Sequence, residues 1–458
     1  MTRTTLSLCA FLASLLFLGS PSRPLSAQES GAGGPLTLEA VFGADGDSAE
    51  KGQESSEKSG EASTETEGKD ERPEAKPQDE PTRQGIDQEA AEGRLAEGRS
   101  IDEGTVSTTP SSPGSLPGEL EEPLSPELRE LRERVRATLA AYYQEPISAN
   151  NYSPWGIMHA LIAYGVDTEI YVNDRKVNAI GWLCYNGVCR GQQLMYVENG
   201  KLRVRIGPGV QGHPGQFLAM LAQSRVRTDF PIKVDGQQFT VADLIESEKE
   251  TCRARTELTF KLIALSHYLK TDATWKSDIG EEWSIPRLIK EELAQPVVGS
   301  ACGGTHRMTG FSYAVNKRNK VGEEFVGQWM RAQKFVQSYH EYIFKLQNSD
   351  GSFSTNWFAG RGDSGEATRH VETTGHMLEW LVCSLAKDEL DDPRVIAAVD
   401  HLTTLFENGR RQRQKWEIGP RGHALHALAL YCERRFGDKP GSRAEMLARK
   451  PQASTTTR

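Results

Sequence analysis

Five histidines recur beside small residues where the chain reads as starting a helix. They are His159 behind Trp155-Gly156, His213 within Gly212-His213-Pro214-Gly215, His306 after Gly303-Gly304-Thr305, His376 after Gly375 and His423 after Gly422. Imidazole changes charge near neutral pH and is the commonest metal ligand, so such a set suits acid–base or ligand-binding chemistry. His306 and His376 are the candidate catalytic groups, each able to act as general base, with Glu372 placed to orient or donate a proton. Arg307 could neutralise an acidic sugar. His159, His213, Arg307, Tyr313 and His423 are the candidates for lining a ligand cavity. Cys302 and His306 lie four apart at a predicted helix start, hence on one face. With His376 or His423 they would suit a Cys/His zinc site that keeps one position open. That spacing is common by chance, so no metal is expected, and Cys302 and His306 are the candidates the sequence offers. His423 and His426, three apart, share a helix face. The competing reading is packing: each Gly would permit close approach while each His bonds a neighbouring loop. The chain carries no H-E-x-x-H, no Gly-rich phosphate loop and no G-x-S-x-G elbow.

These residues need elements to hold them. Ser125-Pro126-Glu127 is an N-cap, an N1 proline and an acidic first turn, and Leu128, Leu131, Val135, Leu139 and Tyr142 follow at helical spacing. Ser153-Pro154 opens a second, almost wholly apolar helix. Residues 167–205 break the pattern. Strands are expected at 169–172 and 177–180, at 193–197 and 201–205 around Asn199-Gly200, and at 231–234 and 238–241 around Asp235-Gly236. Helices then return in pairs: 242–250 with 252–269, 285–293 with 302–315, 323–346 with 373–385, and 393–406 with 422–436. In each pair a more charged helix precedes a more apolar one, an organisational repeat of outer and inner layers.

The stretch 344–385 organises the rest. A helix ends near Leu346 and runs into Gln347-Asn348-Ser349-Asp350-Gly351-Ser352-Phe353, a polar turn closed by an aromatic ring. This turn resembles the Q-x-x-D-G-x-W/F repeat of the squalene-cyclase and protein-prenyltransferase superfamily. The resemblance implies a mainly α fold, an α/α toroid with inner and outer helix layers, here carrying β-hairpin insertions around 167–241. It also implies roughly parallel inner helices, whose N-termini would bring the histidines to one central cavity. The resemblance stops short of the chemistry. Cyclases protonate an alkene with D-x-D-D, whereas Glu389-Leu390-Asp391-Asp392 precedes Pro393 and reads as an acidic first turn with an N-cap. Prenyltransferase β-subunits bind zinc through D-x-C and a distant His, and this chain has no D-x-C.

The 458 residues carry a formal net charge of −9. Residues 1–27 combine Arg3, an apolar run from Leu6 to Leu18 and small residues up to Ala27, the pattern of a secretory signal peptide. Residues 28–124 are rich in Glu, Gly, Ser, Pro and Thr and are expected to be a disordered acidic linker. The toroid is expected over 125–440 and a disordered tail over 441–458. Export to the periplasm, the cell surface or the medium follows, with no transmembrane segment after signal removal. Cys184 and Cys189 bracket a turn and could form a disulfide, while Cys252, Cys302, Cys383 and Cys432 fall on predicted inner helices. The negative balance and the lack of a basic stripe argue against nucleic acid as a partner.

Two function classes remain. One is an exported terpenoid-cyclase-like toroid that binds a ligand in a His-rimmed central cavity without cyclase chemistry. The other is a carbohydrate-active α/α-toroid enzyme, a polysaccharide lyase or glycoside hydrolase, with Trp155, Trp182 and Trp357 stacking on sugars or packing in the core. The sequence leaves the ligand open between a small molecule and a polysaccharide. It names no cofactor and does not decide whether the protein is an enzyme.

Overall fold

A computed structural model describes residues 124–438. The expected signal peptide (1–27), the acidic linker ending near Leu124 and the tail over 441–458 lie outside the described residues. Twelve α-helices and four two-stranded antiparallel hairpins make up the described part. Six outer helices are α1 (Pro126–Tyr143), α3 (Ala179–Cys184), α5 (Val241–Glu250), α7 (Ile285–Leu293), α9 (Gln328–Lys345) and α11 (Pro393–Gln412). They alternate along the chain with α2 (Pro154–Ile162), α4 (Gln216–Gln223), α6 (Thr259–Tyr268), α8 (Thr305–Lys320), α10 (Ala367–Ser384) and α12 (Ile418–Phe436). Each of this second set packs on the next, and α12 packs back on α2, so the six inner helices close a ring. The fold is the helical toroid.

Sequence pattern explains the two layers. Outer α7 is amphipathic, burying Ile285, Leu288, Ile289 and Leu293 and leaving Lys290 exposed, with Glu292 turned inward onto Arg307 of α8. Inner α6 buries Thr259 through Ser266 without interruption, because neighbours lie on every side. Helix starts follow the caps: Ser125, Ser153 and Ser284 each accept a backbone N–H of their helix's first turn ahead of an N-terminal proline. Asp392 does the same for α11, accepting from the Arg394 N–H at 2.8 Å. Glu389 accepts from the Ala386 N–H, and Asp391 pairs with Arg435. The acidic string is thus capping and surface pairing.

The hairpins are β1–β2 (Glu169–Val172, Arg175–Asn178), β3–β4 (Met195–Glu198, Lys201–Val204), β5–β6 (Pro231–Val234, Gln237–Thr240) and β7–β8 (Thr274–Lys276, Glu282–Ser284). Two expectations need correction here. The strand expected over 177–180 ends at Asn178, whose side chain accepts the Gly181 N–H and starts α3 instead. The sixth layer pair, α3 with α4, and the hairpin β7–β8, between α6 and α7, are additions to the expected elements. Cys184 and Cys189 are free buried thiols rather than a disulfide, and Cys252 and Cys302 stand in connections rather than in inner helices. No described helix is long and apolar enough to cross a membrane.

The Q-x-x-D-G turn ties one outer helix to the next. The Gln347 amide donates to Gly351 O at 2.9 Å and to Arg394 O, in the first turn of α11, at 2.8 Å. Asp350 accepts from the Ser352 N–H and hydroxyl, and Phe353 is fully buried. Gly351 sits at φ +87°, where a Cβ would lie 2.4 Å from the Ala397 carbonyl of α11. Gly351→Ala is therefore expected to destabilise the toroid by about 3 kcal/mol, from backbone strain plus separation of α9 from α11. Urea unfolding of the two proteins measures this, and an unchanged midpoint would show that the turn does not hold the helices.

Candidate functional site

Glycines set how closely the inner helices approach, and the histidines follow. A Cβ on Gly375 would lie 2.7 Å from the Ala424 Cβ, so α10 and α12 touch backbone to backbone there. A Cβ on Gly422 would lie 2.2 Å from the His159 carbonyl, which closes α12 against α2. Before α8, Cys302, Gly303 and Gly304 all take left-handed φ, and a Cβ on Gly303 would enter the Trp357 ring. A non-glycine residue held at such a φ is uncommon, and it fixes the Cys302 thiol at the root of α8.

All five sequence-selected histidines meet on the ring axis. Centroids of His376 and His423 are 4.0 Å apart, His306 and His423 5.0 Å, and His306 and His376 5.4 Å. His159 lies 5.3 Å from His423, and His213 lies 6.3 Å from His306. The glycines permit close packing and the histidines converge, while His159, His213 and His423, expected to line the ligand cavity, are not among the residues that wall the central cavity toward the inner helices' C-terminal ends. His376 and His423 lie well inside α10 and α12, however, because those helices start earlier than expected, at Ala367 and Ile418.

Each partner fixes a tautomer. His159 Nδ1 meets Trp155 O at 2.7 Å, His376 Nδ1 meets Glu372 O at 2.7 Å, and His213 Nδ1 meets the Glu257 carboxylate at 2.8 Å. His423 Nδ1 meets the Glu379 carboxylate at 2.7 Å. These oxygens can only accept, so Nδ1 carries a proton in all four rings, and in the neutral His159 and His376 rings Nε2 keeps its lone pair. Among the described residues His306 has no partner for either ring nitrogen and His423 none for Nε2, although all three atoms are buried. Burial drives His306 and His376 well below the ordinary imidazole value and His159 down to about 3, so these rings are neutral.

Glu379, which the sequence reading overlooked, joins this cluster to a cavity. Its carboxylate accepts from His423 Nδ1 on one oxygen and from His426 Nδ1, at 2.5 Å, on the other. Burial opposes its ionisation, yet the two imidazoles outweigh that and hold it well below the usual carboxyl range. Glu379 and His426 line a cavity of about 930 Å³ walled by residues of all six inner helices, toward their C-terminal ends. Lys317, Lys320, Arg225 and Arg434 also line it. Arg225 pairs with Glu433, while Arg434 donates to the carbonyls of Val382 and Leu385 at the end of α10. The signal in the sequence was Glu379 itself, a lone acid in the apolar run of α10, three residues after His376. A second concavity, about 600 Å³ beside Tyr196, Arg205 and Pro208, contains none of these groups.

The remaining candidates are dispersed. Tyr313 lines the cavity, away from the histidines' N-terminal end of the ring. Arg307 is consumed by structure: it pairs with Glu292 at 3.0 Å and donates to Pro296 O and the Ser300 hydroxyl. Glu292 in turn accepts from Leu258 N and the Thr259 hydroxyl, so this pair clamps α6, α7 and α8. The Glu372 carboxylate pairs with Arg369. Arg307, expected to meet a uronate, is thus held by Glu292, Pro296 and Ser300, and Glu372, expected to orient or donate a proton, is paired with Arg369. Cys302 lies with His306 and His376, their three ligand atoms all within 4.8 Å of one another. No protein-family model matches the chain, and no curated protein matches it.

Glu379→Gln tests the bridge. An amide offers one acceptor and turns its NH₂ toward an imidazole N–H, so one histidine must change tautomer or lose its bond. The variant is expected to lose about 3 kcal/mol of stability, the scale for breaking a buried charged contact. Denaturant titration checks this, and a loss below about 0.5 kcal/mol would show that the carboxylate is not structurally engaged.

Proposed function

We propose that this chain is an exported, terpenoid-cyclase-like α/α toroid that binds an amphiphilic ligand in its central cavity, without cyclase chemistry. The observation that carries the reading is one cavity walled by all six inner helices, with a carboxylate–imidazole pair inside and a cationic set around it. Ile162, Ala163, Ala222, Ala429 and Leu430 offer an apolar wall. Lys317 and Lys320, with Arg225 and Arg434, suit an anionic group on the ligand. The Ser266 hydroxyl also lines the cavity and has no partner among the described residues, so a ligand atom would satisfy it.

Cyclase chemistry needs a carboxylic acid that keeps its proton. Glu379 is held ionised, and Glu389, Asp391 and Asp392 are outside this cavity. His426, oriented by Glu379, supplies a base rather than an alkene-protonating acid. The carbohydrate reading would call for an aromatic platform. Trp155 instead packs on His159, Trp182 over Gly187, and Trp357 against Gly303 and His376. The cavity wall contains Tyr313 as its one aromatic ring besides histidine.

Titration with a dansyl-labelled fatty acid tests the proposal. Saturable binding is expected, displaced by unlabelled fatty acid and weakened about tenfold, or about 1.4 kcal/mol, by Lys317→Glu with Lys320→Glu. Displacement by oligogalacturonate instead, or no saturable binding at all, would reject the amphiphile.

A further inference from the structure

We propose that Cys302, His306 and His376 bind one zinc-type divalent ion on the ring axis, with His423 beside the fourth, exchangeable position. This goes beyond the cavity reading and does not depend on what the cavity binds.

The argument starts from unmet valences. His306 is 7% exposed, and both of its ring nitrogens are buried without a partner. A neutral imidazole in that position forgoes a donor and an acceptor contact at once, which folded proteins seldom tolerate without a reason. Around it the ligand atoms are already gathered: the Cys302 sulfur, a His306 nitrogen and a His376 nitrogen lie within 4.8 Å of one another. Tetrahedral zinc, with bonds of about 2.0–2.3 Å, needs ligand atoms about 3.3–3.8 Å apart. Small side-chain rotations close that difference, with the Cys302 backbone held in its left-handed turn.

The surroundings are those of a ligand set. His376 donates Nδ1–H to Glu372 O, which leaves Nε2 as the coordinating atom. The Thr305 hydroxyl donates to Cys302 O and braces the left-handed turn that carries the thiol. His423, stacked on His376, donates Nδ1–H to Glu379 and keeps a buried, unpartnered Nε2. That Nε2 has no partner among the described residues and is available to whatever fills the fourth position. One thiolate and two imidazoles select zinc over magnesium or calcium, which take oxygen ligands.

A second cluster shows what a merely structural histidine group looks like in the same fold. Asp350, His370 and His401 are equally close, but their nitrogens are used: His370 Nε2 meets Asp363 at 2.7 Å, His370 Nδ1 meets His401 Nε2 at 3.2 Å, and His401 Nδ1 meets Asp350 O at 3.1 Å. That network is satisfied among its own members and braces the Q-x-x-D-G turn. The axial cluster is not.

The test is cobalt(II) and zinc(II) titration of the full chain after chelator treatment, followed by metal analysis and absorption spectroscopy. One ion per chain is expected, and the cobalt form should show a thiolate charge-transfer band with the strong visible bands of a four-coordinate ion. Cys302→Ser should abolish the charge-transfer band, and His376→Ala should weaken binding at least about tenfold. Cys432→Ser, a buried thiol elsewhere, should leave the spectrum intact. No stoichiometric uptake by the wild type, or a thiolate band that survives Cys302→Ser, would overturn the proposal.

Discussion

A closed ring of six helices has an axis, and the axis must be filled or left open. This chain does both, at opposite ends. At one end Gly375 and Gly422 let α10, α12 and α2 approach until not even a Cβ could fit at those positions. The rings that follow those glycines in sequence are thereby forced together, and imidazoles fill the axis. Toward the C-terminal ends of the same helices the walls separate around a cavity of about 930 Å³. Glu379 stands between the two regions, one carboxylate oxygen on each. The narrow end determines what the wide end can present, because the carboxylate that orients His426 is the one that anchors His423.

Much of this was legible in the sequence, for physical reasons that can be named. The layered repeat showed because outer helices keep a charged face, as in α7, and inner ones keep none, as in α6. The Gly-His pairs showed because a missing Cβ and an imidazole at one spot are both unusual in a helix that is otherwise packed. What stayed hidden depends on distance across the ring. Nothing local distinguishes Arg307, clamped to Glu292, from an arginine awaiting a substrate, since both sit in apolar helix contexts. Glu379 carries the reverse lesson: an acid inside an apolar run signals a buried partner, and its partners stand on α12, more than forty residues further along the chain but packed directly against α10. The α3–α4 pair was lost because a six-residue helix has too few turns to show a period.

The chemistry follows from charge placed where water is absent. Neutral His159 and His376 and an ionised Glu379 coexist here because each Nδ1–H points at an oxygen that can only accept. His306 has no ring-nitrogen partner among the described residues. An apolar core of the same volume would be simpler to pack, so the retained polarity calls for a use: an ion on the axis, a ligand in the cavity, or both.

The most direct test of this account is the tautomeric state of the axial histidines, read by nitrogen-15 NMR of the histidine-labelled full chain. The account predicts a proton on Nδ1 of His159, His213, His376 and His423, with unprotonated Nε2 in His159 and His376. A bare Nδ1 in any of the four would contradict it, since the Glu379 bridge or the contacts to the Trp155, Glu257 and Glu372 oxygens would then not exist.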